Sequence, residues 1–195
     1  MTIPDCARCS YKRTPVWGDG PIDAKVALIG EAPGAVEERT GIPFSGPAGR
    51  QLGELLAIAG YDIADLRVDN VVACRPPAVK GNKPPAPAMI RRCSPRLDDI
   101  QADVVILLGN TPIQTLAPGL SLKANHGLAF RRQLWGRERW VVPMYHPAAC
   151  LHQPALRAVM QEDWKRLSER FEVAPMALRA HFTVESHAVL PGYPN

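Results

Sequence analysis

The chain has 195 residues, of which 46% are hydrophobic and 22% charged, with a formal net charge of +4. That is the size of one domain with a substantial core. Its longest uncharged apolar stretch, around Val104 to Gly109, falls far short of the roughly 20 residues a bilayer span needs, which excludes a helical membrane anchor and a membrane partner. The first residues, MTIPDCARCS, hold a cysteine pair where a secretory leader would need a long apolar run, so a cytoplasmic protein is expected.

In chain order, Ala24 to Gly30 (AKVALIG) reads as a buried strand closed by glycine. A long loop follows, EAPGAVEERTGIPFSGPAG, rich in Gly and Pro; loops of this length inside a domain are usually functional. Leu52, Leu55, Leu56 and Ala59 then recur at helical spacing, predicting a helix over Gln51 to Ala59 with Gly60 as its stop. Arg67 to Ala73 is a second strand, and Pro87 to Gln101 a second helix after the loop RPPAVKGNKPPAP. Val104 to Gly109 (VVILLG) is the clearest strand, followed by a short helix to Ala117 capped by Asn110 or Thr111. Phe130 to Trp135 and Arg139 to Met144 read as two more strands, and Ala155 to Phe171 as a final amphipathic helix. Strands alternating with helices predict an α/β fold, an open sheet covered on both faces, whose ligands bind beyond the carboxyl ends of the strands. Three unusual loops, EAPG, CRPP and YHPAAC, follow strands and converge on one rim. Residues 1–173 are therefore read as one domain, and 174–195 as an aperiodic tail, disordered or loosely packed.

Five cysteines without an export signal argue against a disulfide framework. Cys6 and Cys9 form a C-x-x-C pair, and Cys74 and Cys93 stand at element ends where they would complete a four-thiolate centre. Such a set suits zinc or an iron–sulfur cluster, and spacing does not choose between them; the alternatives are a redox dithiol or separate buried cysteines. Cys150 is left over as a small apolar residue. No G-x-G-x-x-G and no G-K-[ST] occurs, so neither a dinucleotide nor a P-loop site is present. Phe44, flanked by glycine-containing turns, is a ring that could stack on a flat ligand or simply fill the core. Arg75, Lys80, Lys83, Arg91, Arg92 and Arg96 fall in a stretch with no Asp or Glu, which reads as a nucleic-acid contact or as a solvated basic loop.

The strings GEAPGAVEERTGIPFSGPAG, NVVACRPP and YHPAA, in this order behind C-x-x-C, resemble the uracil-DNA glycosylase superfamily, in its iron–sulfur family 4 type. The resemblance runs from about Cys6 to the last helix. It implies an α/β/α sandwich around a four-stranded parallel sheet, a [4Fe–4S] cluster on Cys6, Cys9, Cys74 and Cys93, and a monomer that excises uracil from DNA to leave an abasic site. The region AVKGNKPP has no His, so the cross-linking variant of the superfamily is not implied. Asn70 matches the residue whose amide pairs with the uracil edge, and Phe44 the stacking aromatic. The backbone of Gly30 to Ala32 matches the opposite pocket wall, and His146 the donor to uracil O2. Other branches carry a carboxylate where this chain has Ala32, which makes Glu31 and Glu37 the candidates for positioning water. Asn82, in Asn82-Lys83-Pro84, resembles a further substrate-binding segment. Arg75 and Lys83, from the basic stretch, are the expected DNA contacts, and the resemblance makes Leu151 the wedge that fills the hole left by a flipped base, next to Cys150 at the usual wedge position. The alternatives are a glycosylase for another deaminated base, such as hypoxanthine or xanthine, and a non-catalytic DNA-binding homologue.

Overall fold

The computed structural model describes residues 13–77 and 83–171. Cys6, Cys9, Lys80, Asn82 and the tail 174–195 lie outside the described residues. The apolar runs become strands: β1 (Val26–Gly30), β2 (Arg67–Asn70), β3 (Val104–Leu108) and β5 (Arg137–Met144), with β4 (Phe130–Leu134) between the last two in sequence. The sheet order is β2-β1-β3-β5-β4. β1, β2, β3 and β5 run parallel, as expected. β4 pairs antiparallel with β5, so the sheet has five strands rather than the four implied above. A two-residue turn explains the addition. Trp135 and Gly136 both adopt positive φ, 53° and 77°, the geometry that folds a strand back on its neighbour, and this also removes Trp135 from the strand.

Every residue of β1 and β3 is buried, as a parallel sheet covered on both faces requires. Each Val, Leu or Ile so buried contributes about 1.5–3 kcal/mol. One face packs Leu28, Ile106 and Leu108 against α2 (Pro47–Ile58) and α7 (Leu156–Arg170), with Trp164 fully enclosed. The other packs Ala27, Ile29, Val105 and Leu107 against α3 (Pro87–Cys93) and α4 (Asn110–Leu116).

Three local expectations change. The long loop after β1 contains a short helix, α1 (Ala35–Thr40), closed by Gly41 in the left-handed region at φ 76°. The helix expected over Pro87 to Gln101 stops as α3 at Cys93 and continues as a tighter 3-10 segment, Ser94–Asp99, because Pro95 cannot donate to the preceding turn. The second strand ends at Asn70, since the carbonyls of Asn70 and Val71 bond to the Arg96 side chain. Two four-residue helices, α5 (Leu122–Asn125) and α6 (Ala149–His152), complete the described chain. From β1 the chain passes to β2 on one side and then crosses to β3 on the other. A crevice at such a reversal, beyond the carboxyl ends of the strands, is where open α/β sheets bind ligands.

Candidate active site

A cavity of about 810 Å³ occupies that position, within the roughly 300–1,000 Å³ of small-molecule sites. The ends of four parallel strands supply it: Glu31 to Glu37 after β1, Asn70 from β2, Leu108 to Thr111 at β3, and Tyr145 to His152 after β5. Phe44, Lys83, Pro47 and Ala48 close the remaining sides. The three loops expected to converge do so.

Asn70, buried at the last position of β2, makes no side-chain hydrogen bond among the described residues, so its amide offers a donor and an acceptor to the cavity. Gly30 sits beneath the cavity rather than lining it. A Cβ there would lie 2.5 Å from Asn70 Oδ1 and 2.9 Å from Phe44 Cζ, so glycine is what lets both side chains approach this strand end. Ala32 does line the cavity. Phe44 resolves both ways: it is 7% exposed, packs in the core cluster, and still presents its ring to the cavity. Its backbone is held at φ 55°, an uncommon conformation for a bulky residue that costs about 1–3 kcal/mol and is found where a site needs it. The Phe44 and His146 rings lie 25° from parallel with centroids 6.2 Å apart.

His146 Nδ1 accepts from the Ala148 backbone N–H at 3.2 Å, which leaves the ring proton on Nε2. Burial pushes its pKa down from 6.5 to about 4, so the ring is neutral at physiological pH. The site therefore holds a neutral N–H donor on the wall of the cavity.

The two glutamates separate. Glu31 lines the cavity, and its Oε2 accepts from Thr111 Oγ1 at 2.5 Å while Oε1 has no hydrogen bond among the described residues. Glu37 also borders the cavity but is buried, and its Oε1 accepts from the Gly46 N–H at 2.8 Å, immediately before α2. A Cβ on Gly46 would lie 2.8 Å from that oxygen, so loop and carboxylate are fitted to each other. An anion at a helix N-terminus is favourable, and this contact makes Glu37 a brace for the loop.

The basic stretch divides in the same way. Lys83 is exposed at the cavity rim, and Arg91 and Arg92 are exposed on α3. Arg75 is half-buried and gives Nη1 to Glu38 Oε2 at 3.3 Å. Arg13 donates to the other Glu38 oxygen at 2.5 Å, and these cations, Arg13 foremost, hold the Glu38 carboxyl below its usual range. Arg96 is corrected outright: its side chain is 0% exposed and paired with Asp69, so it faces no nucleic acid. Removing one member of such a buried pair typically costs about 3–5 kcal/mol. Leu151 is 47% exposed at the cavity mouth, whereas Cys150 is buried with Sγ 3.0 Å from the Pro147 carbonyl oxygen, which leaves Leu151 as the outward apolar side chain.

Cys74 and Cys93 are both buried in the same apolar cluster, and Cys74 Sγ lies 3.6 Å from the carbonyl oxygen of Arg13, four residues after Cys9. No group of three or more metal-ligating side chains comes together among the described residues. Thr111 and Asn110 are cavity residues that sequence reasoning placed only as helix caps; Gly109 takes the cap position, and the Thr111 hydroxyl goes to Glu31 instead. Their position directly after the clearest strand was the available signal.

Comparison with known proteins fits this geometry. The uracil DNA glycosylase superfamily model matches residues 17–168, which includes every cavity residue named above. The chain belongs to that superfamily. Type-4 uracil-DNA glycosylases are similar to this superfamily member over most of its length. That of Archaeoglobus fulgidus is 33% identical over 179 residues, 86% of this chain and 88% of its own. That of Saccharolobus solfataricus is 32% identical over 189 residues, 90% and 86% respectively. That of Thermotoga maritima is 31% identical over 172 residues, 83% and 86%. No helix among the described residues of this glycosylase-superfamily chain is long and apolar enough to cross a membrane.

Proposed function

We propose that this protein is a DNA repair glycosylase that hydrolyses the N-glycosidic bond of uracil in DNA and leaves an abasic site. The observation that carries the reading is that the Asn70 amide and the neutral His146 ring open into one cavity. The amide oxygen accepts from uracil N3–H and its nitrogen donates to O4. Cytosine presents the opposite polarity at both atoms and would leave buried polar groups unpaired, at about 1–3 kcal/mol each. Phe44 stacks on the base. As the C1′–N1 bond breaks, its electron pair leaves with uracil and charge gathers on O2, to which the His146 Nε2–H would donate. Water adds to C1′ and its proton passes to the departed uracil anion; Glu31, held by Thr111 with one oxygen unoccupied, is the group that positions the water. Glu37 supports the loop rather than the reaction.

DNA contacts at the mouth fall to Lys83 and to Leu151 as the wedge, with the exposed Arg91 and Arg92 of α3 adding positive charge. Cys74 and Cys93 would hold an iron–sulfur cluster together with Cys6 and Cys9. Support comes from their shared burial and from the approach of Arg13 to Cys74. When bound, the cluster would supply a structural tie between the N-terminal segment and α3. Thiolate ligands of this kind persist in a reducing compartment, which favours the cytoplasm.

Incubation with a uracil-containing oligonucleotide followed by alkali is the test. Strand cleavage at uracil and none at cytosine is expected. A shifted but uncleaved strand would instead mark a binding protein, and cleavage at hypoxanthine alone would mark a different base specificity.

A further inference from the structure

Asp69 and Arg96 form an ion pair out of reach of solvent, with side chains 2% and 0% exposed and Nη2 2.6 Å from Oδ1. Neither residue lines the cavity. Well-packed apolar side chains often stabilise a core as well as such a pair does, so its partners must say what it is for. β2 lies at the edge of the sheet. On the outer side of that edge, Val68 exchanges backbone hydrogen bonds with Asp19 in both directions. Two residues along, where side chains and backbone groups repeat the same orientation, Asn70 has no such strand partner. Its N–H donates to Asp69 Oδ1 at 2.7 Å, and its carbonyl accepts from Arg96 Nη2. Arg96 Nη1 donates to the carbonyls of Val71 at 2.9 Å and Cys93 at 2.8 Å. Arg67 holds the second Asp69 oxygen at 3.3 Å and the Gly20 carbonyl at 2.9 Å.

We infer that Arg96, paired with Asp69, is a positioning residue for base discrimination: together they fix both backbone groups of Asn70 and so aim its amide into the cavity. The inference rests on the reading of Asn70 given above. Discrimination between uracil and cytosine depends on hydrogen-bond polarity, which works only if the amide cannot swing away from the base edge. A guanidinium suits the task because its rigid fork of donors reaches three carbonyls and a carboxylate at once, whereas a lysine ammonium has a single centre. The same fork ties Asn70 to the last residue of α3, Cys93, so the base-reading strand end and the proposed cluster ligand move as one piece.

The test uses the full-length protein in single-turnover excision of uracil from an oligonucleotide, at temperatures where circular dichroism shows each variant folded. Arg96→Met should lower the rate roughly tenfold to hundredfold, the scale of a small misplacement at a reacting centre, with DNA affinity little changed. In an Asn70→Ala background the same substitution should cost less than about twofold, because coupled residues are not additive. Arg96→Lys should restore little. Asp69→Asn, which keeps an acceptor for the Asn70 N–H, serves if Arg96→Met does not fold, and should show the same loss confined to the Asn70 background. Equal losses in both backgrounds, or no loss in either, would overturn the inference. Full excision by Asn70→Ala itself would instead overturn the reading of the site, and the inference with it.

Discussion

The wall that carries Asn70 and the wall that carries His146 border one cavity but are built on different physics. On the Asn70 side, a buried network of Asp69, Arg67 and Arg96 takes up the backbone groups of the strand end. On the His146 side, one backbone N–H on Nδ1 selects the tautomer, and the ring's nearest aromatic neighbour is Phe44, while Tyr145 packs at 4.9 Å between centroids on His126, which is itself bonded to Asp163. A charged network gives direction, because the guanidinium and carboxylate groups hold the strand end at several fixed points. Packing withdraws part of the ring from water without adding charge. A side chain that must distinguish the edges of two pyrimidines needs the first, and a donor that must meet a developing anion while remaining neutral needs the second.

Breaking the packed wall should have the larger effect. His146→Ala removes the donor to the leaving base and should lower kcat by about 10²- to 10³-fold, the usual cost of one such donor, with a smaller change in KM. Single-turnover rates set beside binding isotherms separate the two, and a loss confined to KM would mean that His146 only holds DNA. The directional wall can be disturbed without touching a polar group. Gly30→Ala places a methyl 2.5 Å from Asn70 Oδ1 and 2.9 Å from Phe44 Cζ, so one or both must give way. Excision should fall about tenfold or more, and overpacking should destabilise the fold by about 1–3 kcal/mol in a thermal melt. An unchanged rate would show that the amide tolerates displacement, contrary to the contrast drawn between the walls.

The same contrast separates what the sequence made legible from what it did not. Continuous apolar runs such as VALIG and VVILL announced buried parallel strands, and the loops following them announced the site, because strand ends in an open sheet point one way. Asn70, Phe44, His146 and Glu31 all line the cavity where expected. What failed was the role of charge. Arg96 and Lys83 carry the same sign in the same stretch, yet one is enclosed by four protein acceptors and the other stands at the rim. Composition records sign, and only burial assigns partners. Glu37 shows the same limit: a carboxylate in a functional loop suggests catalysis, and no side-chain pattern reveals that one of its oxygens is taken by a backbone N–H nine residues away. Helix α1 was hidden because AVEERT is short, polar and flanked by glycines, with too few apolar positions to show a period.

The smallest expected effect is an absence of change, and it sharpens the comparison most directly. The Ala148 N–H points at Nδ1, so a second ring proton would meet a donor, and burial adds the cost of charging a ring partly withdrawn from water. With the pKa pushed down to about 4, His146 keeps the same protonation state across neutral pH, and excision should be flat from about pH 8 to about pH 5.5 as far as this ring is concerned. A rate that instead followed a group titrating near about 6.5 would mean that the ring is as wet as any surface histidine. Stability should carry the matching signature. In the unfolded chain the ring binds a proton below about 6.5 and in the folded chain only near 4, so between those values the unfolded state holds more protons and stability falls as pH falls. Asp163, whose carboxyl is pushed up by burial despite His126 at 2.7 Å, titrates with the opposite sense, so the wild-type curve alone mixes the two. The difference in melting temperature between wild type and His146→Gln removes that background. It should shift against the wild type on acidification through this window and stay constant above it. A difference that stayed level throughout would place His146 outside the packed wall.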